Sequence, residues 1–265
     1  MEFTFLDIDG SLDMIENYYQ KRDNVDMNDP SDMLNYYVLY REYVDDWDDV
    51  VRQRFEEFKL RHSDYDFRDM DLYELLTITC YDYKGNYAAG YEVIDYVFDK
   101  IWETEGDPEY LVNYRSEGKY PVLIRMLMED EPNKQETRIY KKWFDKIIDK
   151  MDLSSKYNGD TFMDTAIMGG HNWTIQQLLN RSVTFDSCSG NAVCWLFMAL
   201  TRWATVHPKL GSRERTKADG IKTYKLLLDN GYPFDKKEDC AQSLYGEDVS
   251  FQKLKDKIGI FLNFE

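Results

Sequence analysis

The strongest constraint on the fold of this chain is a spacing of three and four residues between apolar side chains. Apolar side chains recur in this way over 46–60, 91–102 and 139–148. The spacing places them on one face of an α-helix. The chain also holds only 6 prolines and 14 glycines in 265 residues, few for a protein made of strands and tight turns. We therefore predict an all-α protein.

Shorter apolar runs predict further helices between polar turns such as Gly106-Asp107-Pro108 and Asn230-Gly231. These helices are predicted over 32–44, 72–81, 122–128, 161–168, 174–179, 191–205, 220–228, 240–245 and 249–261. Many short helices joined by polar turns favour an irregular array of antiparallel helix pairs over a mixed sheet.

The negative charge of the chain is concentrated in its first 110 residues. The formal net charge is -17, but residues 1–110 hold 29 acidic and 10 basic side chains, against 21 and 23 in residues 111–265. The first part also contains 14 of the 21 tyrosines. We therefore distinguish an acidic, tyrosine-rich helical part, 1–110, from a near-neutral helical part, 111–265, and expect them to form one continuous array.

Composition and missing motifs exclude several classes of function. Strong negative charge disfavours direct nucleic-acid binding, because the phosphates would be repelled. Four cysteines without a CxxC pair, no apparent signal peptide and no apolar run of membrane-spanning length favour a cytoplasmic protein outside the membrane. Three histidines without metal-binding spacing, and no nucleotide-binding or hydrolase motif, predict no metal, no cofactor and no catalytic residue.

Two segments resemble ankyrin repeats. Residues 159–171 read G-D-T-F-M-D-T-A-I-M-G-G-H, which resembles the ankyrin pattern G-x-T-P-L-H-x-A-A-x-x-G-H, and 174–179 resemble the second helix of that repeat. Residues 223–235 resemble the end of a repeat, and 10–26 give a weaker match. The resemblance implies an ankyrin-like solenoid.

The ankyrin resemblance assigns structural roles to individual residues. Thr161 would cap the first helix, Ala166 would permit close helix contact, and Leu178 and Leu179 would be buried between repeats. Gly231 would adopt a left-handed backbone at a helix end.

The chain departs from the ankyrin pattern in sequence and in spacing. Phe162 and Asp164 replace the proline and histidine of the pattern. Phe185-Asp186 and Phe234-Asp235 lie 49 residues apart, against about 33 in a standard repeat. We place the excess in a basic inserted loop, His207 to Lys217, so the predicted solenoid carries long insertions.

Repeat arrays of this kind present extended concave surfaces for binding and rarely carry catalysis. The resemblance thus implies a non-enzymatic protein-interaction module. Degenerate ankyrin-like repeats resemble those encoded by viruses and phages. This second resemblance extends the prediction: the protein would be viral or phage-encoded. In the host cell it would antagonise a nucleic-acid-binding factor or a defence factor.

The candidate partner-binding residues combine acids with tyrosines, a combination suited to a basic protein partner. They are Tyr40, Tyr43, Asp45, Asp46, Asp48, Asp49, Glu56 and Glu57. Carboxylates four residues apart on a helix lie about 6 Å apart along its axis, comparable with phosphate spacing. A nucleic-acid mimic that occupies the DNA or RNA site of its partner is therefore an alternative. A solvated helix face that keeps the protein soluble is another.

Residues 5–12, F-L-D-I-D-G-S-L, resemble the first motif of the haloacid dehalogenase-like phosphatases. The resemblance implies Asp7 as nucleophile and Asp9 as general acid/base, and Gly159 to Asp164 match the later Mg²⁺-binding G-D-x-x-x-D motif. Thr77 or Thr79 would supply the phosphate-binding hydroxyl. That fold requires a buried strand before each aspartate motif, whereas 153–158 read as a turn. A Mg²⁺-dependent phosphatase is therefore the enzymatic alternative.

Overall fold

The computed structural model describes residues 25–39, 47–80, 88–105, 109–114, 120–128, 134–157, 159–189 and 217–233. Throughout these ranges every regular element is a helix, and the one β-type contact is an isolated bridge between Tyr157 and Asp160. The chain divides into two compact units, Met1–Met151 and Asp152–Glu265. The change in charge at residue 110 falls within the first unit.

The first unit contains seven of the described α-helices, one π-helix and two 3-10 turns. The α-helices are α1 (Pro30–Asp32), α2 (Trp47–Arg61), α3 (Leu72–Cys80), α4 (Ala88–Glu105), α5 (Glu109–Asn113), α6 (Val122–Met128) and α7 (Lys134–Ile147). A π-helix, Met33–Val38, continues α1, and 3-10 turns occupy Phe67–Asp69 and Ile148–Lys150. The predicted helix over 32–44 is helical in its described part, but as a π-helix, because the Leu39 amide donates to the Leu34 carbonyl, five residues back. Residues 40–44 of that prediction lie outside the described residues.

Helix α4 is the centre of the first unit and contacts α2, α3 and α7. Its apolar side chains Val93, Ile94, Val97, Phe98 and Ile101 are buried. The Phe55 ring of α2 meets the Tyr96 ring edge-on at 5.2 Å. Burying such apolar side chains stabilises the unit by roughly 1.5–3 kcal/mol each.

Polar contacts fix the position of α7 against α4. The indole N–H of Trp143 donates to Asp95 at 2.7 Å, while the Phe98 and Trp143 rings lie edge-on 5.2 Å apart. Lys142 pairs with Asp95 and Asp99 at 2.7 and 2.5 Å. Burial alone would raise the pKa of Asp99, but hydrogen bonds from the α7 lysines hold this pKa below its usual value.

The second unit contains a helix pair whose first helix begins at a complete capping box. The pair consists of α8 (Phe162–Gly169) and α9 (Asn172–Asn180), and α10 (Lys217–Asp229) follows. The Thr161 hydroxyl accepts from the Asp164 amide, and Asp164 accepts from the Thr161 amide at 2.8 Å. The predicted capping role of Thr161 is confirmed, with Asp164 as its reciprocal partner at the histidine position of the pattern.

Helices α9 and α10 end with the same hydrogen-bond arrangement. Val183 and Ser182 donate to Leu178 and Leu179, and residues 49 positions later, Tyr232 and Gly231, donate to Leu227 and Leu228. This is the Schellman motif, which requires a left-handed residue after the helix. That residue is Ser182 (φ 60°) after α9 and Gly231 (φ 75°) after α10. The prediction for Gly231 is confirmed, and helix α8 ends with the same hydrogen bonds, with Gly170 (φ 63°) in the left-handed position.

The other sequence-based expectations for the second unit have mixed outcomes. Leu178 is fully buried, as predicted, but Leu179 is partly exposed. Ala166, for which we predicted a close helix contact, is also fully buried. Leu179 lies one position around α9 from Leu178, so it lies at the edge of the buried face. The predicted helices over 191–205, 240–245 and 249–261, and the match over residues 10–24, lie outside the described residues.

We predict that glycine is the more stable residue at both of these helix ends. Ser182→Gly should stabilise the second unit by about 1 kcal/mol, because glycine adopts positive φ without steric cost. Gly231→Ala should destabilise it by about 1 kcal/mol through backbone strain alone, since no atom lies within 4 Å of the added Cβ. Urea unfolding measures both. Ser187→Gly, outside the left-handed position, should not stabilise, and a gain equal to that of Ser182→Gly would contradict the assignment.

Removal of the Asp164 carboxylate should destabilise the second unit strongly. Asp164 is fully buried and also accepts from the Ser189 amide at 2.8 Å. Asp164→Ala leaves these donors without an acceptor, so we expect a loss of about 3 kcal/mol in the free energy of unfolding. Asp229→Ala, on the exposed end of α10, is the matched control and should change it by less than about 0.5 kcal/mol. Equal effects of the two variants would exclude the capping network as a source of stability.

Candidate functional site

The outer face of α2 carries the exposed part of the predicted acidic site. The exposed residues of this face are Asp49, Gln53, Glu56 and Leu60, spaced four, three and four residues apart, while Arg61, also exposed, lies about 100° further around the helix. The side chains of Asp49 and Glu56 are 81% and 69% exposed, and Leu60 is 83% exposed. Val51, Phe55 and Phe58 occupy the opposite, buried face. Packing of this buried face therefore turns the four outer-face residues toward solvent.

The two exposed carboxylates of this face are paired with cations of their own helix. Asp49 contacts Arg52 at 3.3 Å, and Glu56 contacts Lys59 at 2.5 Å. Exposed pairs three residues apart contribute only about 0.3–0.5 kcal/mol, because water and salt screen them. Both carboxylates therefore stay accessible to a cation from another molecule.

The other two acids of α2 hold the first unit together. Asp48 accepts from the Ala89 amide at 3.3 Å, at the start of α4, where helix N–H groups favour an anion. Glu57 accepts from the Tyr37 hydroxyl at 2.9 Å and forms an ion pair with Arg61 of the same helix at 2.6 Å. The sequence places all four acids in one group, but the structure separates two half-buried acids, Asp48 and Glu57, from two outward ones.

Four of the predicted partner-binding residues lie outside the described residues. These are Tyr40, Tyr43, Asp45 and Asp46. Of the predicted site, the structure therefore describes Asp48, Asp49, Glu56 and Glu57.

Tyrosines within the acidic part, and Tyr114 just after it, donate to carboxylates of that part. Tyr36 donates to Glu74 at 2.5 Å, and Tyr114 donates to Asp71 at 2.8 Å, in addition to the Tyr37–Glu57 bond. Burial raises the pKa of Tyr114, and the hydrogen bond to Asp71 raises it further. These pairs lie 20 to 43 residues apart in sequence. The abundant acids and tyrosines therefore form internal hydrogen bonds as well as exposed charge. No short-range sequence signal predicts these pairs.

Comparison of the chain with family models, curated proteins and solved structures finds no match.

Within the ranges that the structure describes, no group of three or more metal-binding side chains converges. No helix in that part of the chain combines the length and apolarity needed to cross a bilayer.

The phosphatase-like residues of the second unit take part in contacts around Ser189. Asp164 accepts from the Ser189 amide, while Asp160 accepts from its hydroxyl at 2.7 Å. Burial raises the pKa of Asp160, and the nearby Asp164 charge raises it further. Asp7 and Asp9, together with the side chains of Thr77 and Thr79, lie outside the described part of the structure.

The Tyr114–Asp71 bond predicts a specific loss of stability at alkaline pH. The folded-state pKa of Tyr114 is above its ordinary value of about 10, so its contribution is complete below pH 10 and is lost as pH rises through the folded-state value. Tyr114→Phe should lower the free energy of unfolding by about 1 kcal/mol at pH 8 and flatten its fall above pH 10. Urea unfolding from pH 8 to 11 measures both. The same alkaline slope in both proteins would contradict a titrating Tyr114.

Proposed function

We propose that this chain is a non-enzymatic helical-repeat protein that binds a basic protein partner through the acidic surface of residues 1–110. The outward position of Asp49 and Glu56 on α2 carries this proposal. Their weak pairs with Arg52 and Lys59 can exchange for pairs with a cationic partner at little cost. Exposed carboxylates on a rigid helix also lose little freedom on binding.

The ankyrin-like arrangement is part of the same proposal. Support comes from the capped helix pair of α8 and α9 and from the two matched helix ends at Ser182 and Gly231. Neighbouring helix pairs in such an array bury their apolar faces against each other and leave an extended surface for a partner. The matched ends lie 49 residues apart, against about 33 in a standard repeat, which fits a repeat that carries an insertion.

The net charge of residues 1–110 gives the proposed binding a long-range component. Nineteen excess negative charges attract a basic partner over distances up to about one Debye length, roughly 8 Å at physiological salt. Such steering raises the association rate and makes it sensitive to salt. Contacts with individual carboxylates then determine how long the complex lasts.

The charge balance of α2 favours a protein partner over direct mimicry of nucleic acid. Its four carboxylates are matched by four cations, Arg52, Arg54, Lys59 and Arg61. A mimic needs an unbroken row of negative charge, whereas a protein interface tolerates mixed charges. A host nucleic-acid-binding or defence factor remains within the proposed partner class, since such factors carry basic surfaces.

Affinity capture with the full chain tests the proposed function. We expect captured proteins to be basic and their binding to weaken as salt rises. The double reversal Asp49→Lys/Glu56→Lys should weaken binding roughly tenfold or more, through lost attraction and new repulsion. The control Asp145→Lys/Asp229→Lys makes the same change in net charge at exposed sites in 111–265 and should have a smaller effect. Neutral or acidic partners whose binding ignores salt would contradict the proposal.

A further inference from the structure

The outer face of α2 has a defined length, direction and polarity. Asp49, Gln53, Glu56 and Leu60 form a stripe that rises about 16 Å along the helix, at 1.5 Å per residue. Its acids lie toward the start of the helix and its leucine lies at the end. Among the described residues, Leu60 and Leu228 are the exposed large apolar side chains. The stripe therefore offers two anionic positions followed by one apolar position.

The spacing of the stripe fits a second helix better than an extended peptide. Successive outer-face residues rise by about 4.5 to 6 Å, the same intervals at which side chains recur along one face of any α-helix. Side chains on one side of a β-strand recur about every 6.6–6.8 Å, so an extended peptide could not align with all three positions of the stripe. A helix with two cations and one apolar side chain on one face can meet all three positions.

Arg52 and Lys59 keep other favourable contacts when Asp49 and Glu56 pair with a cation of another molecule. Arg52 makes two bonds to Glu92 of α4, at 3.1 and 3.0 Å, besides its 3.3 Å contact with Asp49. Lys59 lies 5.0 Å from the Phe55 ring centroid and 5.8 Å from that of Tyr96. Cation–π contacts of this kind stabilise an ammonium without a carboxylate. Neither cation is therefore left without a favourable contact when an incoming cation takes Asp49 or Glu56.

We infer that the outer face of α2 docks a basic amphipathic helix of a partner protein, whose cations replace Arg52 and Lys59 at Asp49 and Glu56 and whose apolar side chain covers Leu60. The inference rests on the proposed function and specifies its partner. Charge complementarity selects the basic face of the partner, and the position of Leu60 sets its direction along α2. Lys59 is a competitor of the partner for Glu56.

Two synthetic alanine-based helical peptides test the inference. The matched peptide carries two lysines seven residues apart and a leucine four residues beyond, repeating the positions of Asp49, Glu56 and Leu60; it is made in both sequence directions. The scrambled peptide has the same composition with these side chains on different faces. We expect one matched direction to bind the full chain about tenfold more tightly than the scrambled peptide at low salt.

Variants of the full chain identify the surface used. Glu56→Lys should abolish binding of the matched peptide, and Leu60→Gln should weaken it several-fold. Lys59→Gln should tighten binding about threefold because it removes the competitor, whereas Lys225→Gln on α10 makes the same change in net charge and should have little effect. Circular dichroism verifies that each variant is folded.

The outcomes separate the two proposals. Equal binding of matched and scrambled peptides, or equal effects of Lys59→Gln and Lys225→Gln, would overturn docking on α2 while leaving an acidic surface that binds basic ligands. Absence of binding by both peptides and by polylysine at low salt would overturn the proposed function itself.

Discussion

Both units depend on carboxylates that accept hydrogen bonds from donors of their own chain. In the first unit, Glu57 and Asp71 accept from tyrosine hydroxyls, and Asp95 accepts from the Trp143 indole. In the second, buried Asp164 accepts from Thr161 and Ser189. Hydrogen bonds to a charged group contribute about 1.5–3 kcal/mol when they are buried, and about 1 kcal/mol where solvent screens them, as at Glu57 and Asp71. Short helices are only marginally stable on their own, so these bonds help to hold them in place.

This use of carboxylates divides the acidic residues into two sets. The internal set accepts bonds from other parts of the chain and contributes to the stability of the fold, while Asp49 and Glu56 contribute little stability and stay open to solvent. Adjacent residues can belong to different sets, because neighbouring positions on a helix point about 100° apart. Glu56 faces solvent, while Glu57 turns toward Tyr37. The proposed binding surface is thus narrower than the acidic stretch that contains it.

The sequence predicts the features that local spacing and local capping determine. Apolar spacing places α2, α4 and α7 within a few residues of their observed bounds, and Thr161 and Gly231 mark a helix start and a helix end. Contacts between distant residues could not be predicted in this way. The five-residue helix α5 (Glu109–Asn113) is too short to show a period; Tyr110 at its start donates to the Arg68 carbonyl at 2.6 Å. The carboxylates bonded to Tyr36, Tyr37 and Tyr114 lie 20 to 43 residues away in the sequence. Composition therefore shows that acids and tyrosines are enriched, but not which of them pair.

Unfolding of two neighbouring variants, Glu56→Ala and Glu57→Ala, tests this division of the carboxylates most directly. Alanine at 57 deprives the Tyr37 hydroxyl and Arg61 of their acceptor, whereas alanine at 56 removes one weak exposed pair. We predict that the free energy of unfolding falls by about 1 kcal/mol for Glu57→Ala and changes by less than about 0.5 kcal/mol for Glu56→Ala. Equal losses at the two positions would contradict the separation of internal from outward carboxylates on α2.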